Sequence, residues 1–154
     1  MIKSIAHIGL TVTDLDRSIK FYRDILGLSY KGYMYMEGES TDKLFNGKDL
    51  SVKVCYLSSK EGDGYPDVEL INFERGQVKK DSPSLFKTSI SELCFEVEDI
   101  EKFYNYLVDS GVKVMSEPQV FDSSKYGFGK SKAIYFYDPD ENILEAIESV
   151  KWFK

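Results

Sequence analysis

The sequence predicts an α+β fold made of two tandem βαβββ modules, and three observations carry that reading. Ser4 to Leu28 (SIAHIGLTVTDLDRSIKFYRDILGL) reads as a strand, a capped helix and a stop. The same pattern returns in the second half of the chain. Each copy is then followed by three further strand-like stretches. In the first copy Ile8, Leu10 and Val12 alternate with His7, Gly9 and Thr11, so the apolar residues point one way and His7 the other. Asp14 or Asp16 can accept from the free amides at the helix start. Leu15, Ile19, Tyr22 and Leu26 follow at helical spacing, and Gly27 supplies the stop.

The repeat aligns His7-Ile8-Gly9-Leu10-Thr11-Val12 with Glu92-Leu93-Cys94-Phe95-Glu96-Val97. Ile100, Phe103 or Tyr104, and Leu107 repeat the helix stripe, and Gly111 repeats the stop. At the far ends, Val68-Glu69-Leu70-Ile71 matches Leu144-Glu145-Ala146-Ile147. A repeat of this length governs how the rest is read. Residues 1–154 are expected to form one domain, with a first module over about 1–74, a linker over 75–88 and a second module over about 89–150.

A chain of 154 residues is long enough for one real core. With 20 Lys and Arg against 26 Asp and Glu, the net charge is −6 and the signs are evenly mixed, which argues against nucleic acid as a partner. No apolar run approaches membrane-spanning length. The N-terminus enters a strand without a basic-then-apolar leader, so a cytoplasmic protein is expected. Cys55 and Cys94 sit in strand patterns without metal-type spacing, and two buried free thiols are expected.

Taken in order, Leu28 to Met36 is an aromatic strand, and Glu37 to Asp49 a long polar loop with room for one helical turn. Ser51 to Leu57 and Asp67 to Phe73 are strands joined by a turn over Glu61 to Pro66. The second module opens with a strand over Ser89 to Val97 and a helix over Asp99 to Ser110. Val112 to Phe121 reads as a strand that tolerates Pro118 only near an edge or bulge. Asp122 to Ser131, with two glycines and two aromatics, suits a mobile flap better than a strand; closing over a site and being a plain surface loop both stay open. Lys132 to Tyr137 and Ile143 to Ile147 are the last strands, around a tight turn at Asp138 to Asn142. The tail Lys151 to Lys154 is aromatic and basic, suited to docking on the fold or a second subunit.

Parity selects the candidate site. Glu69 lies opposite Leu70 on its strand, as His7 lies opposite Ile8; Glu92 lies opposite Leu93, and Glu145 opposite Leu144. Two pseudo-symmetric modules side by side would form a curved mixed sheet, a half-barrel cup with helices outside and these four side chains inside. A carboxylate there is costly unless paired, solvated or bound to a cation. Three carboxylates and one imidazole suit a divalent metal with open positions for substrate oxygens. The structural alternatives are a packed strand histidine at His7 and exposed edge carboxylates at Glu69 and Glu145. Glu92 reads as a ligand, a free base or a solvated strand end. Tyr33, Tyr35, Tyr56 and Phe73 are candidate pocket residues, with ordinary sheet packing as the default.

These stretches, with VELINFE (Val68 to Glu74), ELCFEVEDI (Glu92 to Ile100) and YFYDPDENILEAIE (Tyr135 to Glu148), resemble the vicinal oxygen chelate superfamily across nearly the whole chain. That superfamily includes glyoxalase I, extradiol dioxygenases, fosfomycin-resistance enzymes and bleomycin-resistance proteins. The resemblance implies metal ligands at His7, Glu69, Glu92 and Glu145, closest to the metal-dependent glyoxalase I pattern. Two departures stand out: Glu92 replaces the usual His, and Glu141 stands before Asn142 where the family commonly has Gly. An oxygen-rich site favours Mn²⁺, Fe²⁺ or Mg²⁺ over Zn²⁺ or Ni²⁺, with Co²⁺ also in range.

The implied activity is that of a lactoylglutathione lyase-like lyase or isomerase working through an enediolate, with Glu145 and Glu92 as the catalytic pair. A small-molecule substrate and a homodimer are implied, without nucleic acid or membrane. The alternatives are a metal-free binding protein of the bleomycin-resistance kind and a ring-cleaving dioxygenase. The latter wants two histidines on Fe²⁺, and the chain has one.

Overall fold

A computed structural model describes residues 4–59, 67–76, 78–127 and 129–149. The expected turn over Glu61 to Pro66 and the tail Lys151 to Lys154 lie outside the described residues. The chain divides into two compact units, residues 1–81 and 82–154. Each contains its own four-stranded mixed sheet.

In the first unit the order along the sheet is β1 (Ile8–Thr11), β4 (Val68–Arg75), β3 (Ser51–Ser58) and β2 (Ser29–Glu37). In the second it is β5 (Leu93–Glu96), β8 (Ile143–Ser149), β7 (Lys130–Tyr137) and β6 (Gln119–Asp122). The first and last strands of each unit run parallel and in matching register. Gly9 faces Glu69 in the first, and Cys94 faces Glu145 in the second. The equivalence extends to single backbone bonds: Val12 N–H donates to Ile71 O and Val97 N–H to Ile147 O, both at 2.9 Å. His7 and Glu92 each lie one residue ahead of their strand rather than inside it. The strand expected over Ser89 to Val97 is correspondingly short.

Both helices start the same way. Asp14 caps α1 (Leu15–Lys20) by accepting from Arg17 N–H, and Asp99 caps α3 (Ile100–Asp109) by accepting from Lys102 N–H, each at 3.0 Å. The choice left open between Asp14 and Asp16 thus falls to Asp14. They end the same way too, at Gly27 and Gly111, both at φ 74°. Between cap and stop, however, the first helix is one residue longer. A π-helical turn over Phe21–Ile25 absorbs that residue, with Leu26 N–H donating to Phe21 O at 3.0 Å. The widened turn shifts the buried stripe, so that Phe21 joins Tyr22 in the core although Phe21 falls outside the expected spacing.

The sheet faces turned toward the helices are apolar. Val12, Val68, Leu70, Cys55 and Leu57 are fully buried in the first unit; Leu144, Ala146, Phe136, Ile100 and Leu107 are fully buried in the second. Each large apolar side chain withdrawn from water in this way stabilises by roughly 1.5–3 kcal/mol before entropy is counted. On the opposite face of the first sheet, the expected loop contains α2 (Glu39–Leu44). Asp42 ties down its far end by accepting from Asp49 and Leu50 N–H, both at 2.8 Å.

Three expected elements of the second unit are corrected. The single strand over Val112 to Phe121 is split in two. Residues 113–115 lie against the far end of β7, through Met115 N–H to Tyr135 O and Tyr137 N–H to Lys113 O. Pro118, which has no N–H to offer, precedes the separate strand β6. The presumed flap is shorter than expected. Asp122 and Lys130 belong to a paired hairpin, whose connection holds a single 3₁₀ turn at Ser124–Tyr126. Finally, Cys94 is exposed while Cys55 is buried, and both thiols are free.

The tight turn before β8 is organised by Asp138. Its carboxylate accepts from Asp140 N–H, Asn142 N–H and the Asn142 side-chain amide, all at 2.8 Å. Within it Glu141 takes φ 68°, the left-handed region that glycine occupies without penalty. Glu141→Gly is expected to stabilise the protein by about 0.5–1 kcal/mol. That is roughly 1–2 kcal/mol of relieved backbone strain less about 0.4–1 kcal/mol for a more flexible unfolded chain. Urea denaturation of the two proteins checks it.

Candidate functional site

In the first unit, the parallel β1–β4 pairing brings His7 and Glu69 together. His7 Nε2 lies 3.2 Å from Glu69 Oε2, with side chains 37% and 16% exposed. Gly9 makes room for this contact. A Cβ there would sit 3.3 Å from Glu69 Oε2 and 3.2 Å from Ile71 Cδ1, so any larger residue would crowd the carboxylate. On the other side of β4, Tyr56 faces Glu69 directly in the antiparallel register, and its hydroxyl donates to Glu69 Oε1 at 2.9 Å. Desolvation and then the Glu69 hydrogen bond and charge hold the Tyr56 hydroxyl above its ordinary pKa.

The same face continues into an apolar cluster. Leu50, Val52 and Val54 are buried there, with Met36, Phe45, Tyr56, Ile71 and Phe73 packed against them. Phe45, at the end of α2, stands edge-on to Phe73 with ring centroids 5.3 Å apart. One end of the face is therefore covered by α2, while the His7–Glu69 end remains accessible to solvent. Two of the four candidate aromatics lie elsewhere. The register Tyr33↔Cys55 and Tyr35↔Lys53 puts Tyr33 and Tyr35 on the opposite face, set by a bulge between Tyr30 and Gly32. There they pack against each other and under the Lys53 ammonium. Met34 and Met36 take their places beside Tyr56 and Val52.

The second unit repeats the plan with different chemistry. Cys94 occupies the position of Gly9 beside Glu145, with its Sγ 4.0 Å from Phe95 O. Tyr135 faces Glu145 as Tyr56 faces Glu69. Desolvation raises the Glu145 carboxyl above its ordinary value, the neighbouring Cys94 thiol opposes this, and the charge of Glu92 adds to the rise. Although Cys94 reaches the surface, desolvation and then the neighbouring Glu145 carboxylate, with Glu92 and Glu96, push its thiol up to about 12. Desolvation and the charges of Glu145 and Glu92 raise Tyr135 as well.

Of the four residues singled out by parity, then, His7 and Glu69 meet in one unit, and Glu145 feels Glu92 in the other. Among the described residues, no three His, Cys, Asp or Glu side chains gather as a metal-binding group. The donors nevertheless suit a divalent cation. Two ligands each about 2.1 Å from one ion in adjacent positions are about 3.0–3.4 Å apart, and the His7–Glu69 separation falls in that interval. Sequence reasoning passed over Cys94 as a neighbour of Glu145. Its place opposite Gly9 in the repeat was the available signal.

Comparison with known proteins identifies the fold and family. The chain belongs to the Glyoxalase/Bleomycin resistance protein/Dioxygenase superfamily, whose model matches residues 4–146. It is 30% identical over 138 residues to YraH of Bacillus subtilis, covering 90% of this chain and 92% of that one. It is 27% identical over 151 residues to a lactoylglutathione lyase of Schizosaccharomyces pombe, covering 92% of this chain but only 46% of that enzyme. A metallothiol transferase, FosB of Staphylococcus haemolyticus, is 29% identical over 147 residues, with 94% and 83% covered. The crystal structure of a glyoxalase family protein from Bacillus cereus shares the fold at a TM-score of 0.79, with 19% identity and 98% and 97% coverage. Among the described residues, no helix is long and apolar enough to cross a membrane.

The raised Glu145 carboxyl has a consequence for stability. A carboxyl whose pKa is higher in the folded state than its ordinary 4.5 favours folding when protonated, and that contribution is lost as pH rises through the folded value. In chelator-treated protein, Glu145→Gln is therefore expected to raise the Tm by a few degrees at neutral pH. The gain should vanish below about pH 4.5. Melting curves of both proteins across pH test this.

Proposed function

We propose that the protein is a metal-dependent, glyoxalase I-like lyase or isomerase acting on a small substrate with two adjacent oxygens. The observation that carries this reading is the His7–Glu69 contact at the spacing of neighbouring ligands on one ion. Glu92 and Glu145, the acidic pair of the second unit, complete the proposed ligand set. The family membership, and the lactoylglutathione lyase among its relatives, support the same class.

A bound divalent ion would act as a Lewis acid, holding the two substrate oxygens and favouring the enediolate. The chain's own residues divide the remaining work. His7 and Glu69, in the first unit, would hold the metal. Glu145 takes the proton from the carbon beside the carbonyl and returns it to the neighbouring carbon. Glu92 is the second acidic group of the catalytic pair. The assembly proposed is a homodimer, on family resemblance alone.

A second reading is a metal-free binder of the bleomycin-resistance kind. It is favoured by the partly exposed Met34 beside Tyr56 and by the net charge of −6, which suit a planar or cationic ligand. The ring-cleaving dioxygenase reading is weakened by the single histidine.

Metal analysis of protein purified without chelator separates the first two. The proposal expects stoichiometric divalent metal that is lost in both His7→Ala and Glu145→Ala. It also expects a Glu145→Gln variant with kcat reduced about 10²–10⁴-fold in an assay of lactoylglutathione formation. No bound metal, and no thermal shift with Mn²⁺, Ni²⁺ or Zn²⁺, would overturn the metal reading and support the binder instead.

A further inference from the structure

We propose that Tyr56 is a positioning residue for Glu69: it pins one carboxylate oxygen so that the other, beside His7, is the oxygen presented to a divalent cation. This rests on the metal reading above and assigns a residue that the four-ligand pattern does not contain.

The geometry supports it from three directions. First, the Tyr56 hydroxyl has one proton and two acceptors in reach, Glu69 Oε1 at 2.9 Å and Met34 Sδ at 3.8 Å. The shorter bond to a charged oxygen takes the proton, and the thioether remains an apolar neighbour. Second, the phenol is itself held. Its ring is packed against the buried Val52–Val54 cluster and stands edge-on to His7, with centroids 6.2 Å apart and planes at 66°. Third, the two oxygens of Glu69 are thereby assigned different partners, Oε1 to Tyr56 and Oε2 to His7. An unrestrained glutamate samples many rotamers, whereas one anchored at Oε1 offers Oε2 along a single direction. Partners behind a ligand commonly set its orientation in this way.

The second unit shows that such a restraint is not inherent in the fold. Tyr135 holds the register position of Tyr56, yet among the described residues its hydroxyl makes no counterpart of the Tyr56–Glu69 hydrogen bond. Glu69 is thus built as a fixed ligand.

The test compares wild type, Tyr56→Phe and Met34→Leu after removal of metal, by melting temperature, Mn²⁺ titration calorimetry and the visible spectrum of added Co²⁺. Tyr56→Phe removes a single oxygen atom and is expected to melt within a few degrees of wild type. It should bind Mn²⁺ about 10–100-fold more weakly and give an altered Co²⁺ spectrum. Met34→Leu should match wild type in both. Unchanged Mn²⁺ affinity and Co²⁺ spectrum in Tyr56→Phe would overturn the positioning role while leaving the metal reading intact. Failure of wild type itself to bind either ion would overturn the metal reading and the inference with it.

Discussion

Everything at the candidate site depends on the parallel pairing of the first and last strands in each unit. Two residues about sixty positions apart in sequence face one another there, Gly9 with Glu69 in one unit and Cys94 with Glu145, somewhat closer in sequence, in the other. Parallel neighbours cannot be joined by a tight hairpin, so the helix and the two middle strands of each unit form the connection. The helix covers one face of the sheet, and what remains on the other face is decided by alternation. Had either strand slipped by one residue, Leu70 or Leu144 would have taken the polar face of its own sheet and the glutamate would have entered that unit's core.

Within that shared frame the two units have diverged in small, chemically consequential ways. The position that is a hydrogen atom at Gly9 is a side chain ending in a thiol at Cys94, and so the neighbouring glutamate has space in one case and a sulfur-bearing neighbour in the other. The phenol opposite Glu69 donates to it, whereas the phenol opposite Glu145 is perturbed chiefly by desolvation and neighbouring charge. One carboxylate is therefore held firmly at both oxygens. The other carries a raised proton affinity in surroundings that include another glutamate. A duplicated scaffold thus supplies two acids of different character without any change in backbone plan.

Much of this was legible in the sequence. Strand alternation, the aspartate caps and the terminal glycines are local signals, and the repeat let each half check the other. His7, Glu69, Glu92 and Glu145 emerged from parity alone, and the structure pairs the first two directly. Long-range register was not legible. Tyr33 and Tyr35 look like pocket residues until the bulge at Tyr30–Gly32 and the pairing with Cys55 and Lys53 turn them to the other face. The split at Pro118 and the surface position of Cys94 likewise depend on what each strand lies beside. Residues one position outside a strand, such as His7 and Glu92, keep its parity but not its ladder. Their burial therefore escapes a pattern-based reading.

The π-helical turn in the first helix has an implication for how interchangeable the two halves are. Because that turn accommodates a single inserted residue between otherwise matching caps and stops, the helices are out of phase beyond Lys20. A substitution carried from one helix to the other by alignment from their caps must therefore be moved by one residue beyond that point, or it lands about 100° away, the angular step of one residue. The repeat can still be read in the strands, but the helices are not spare parts for each other.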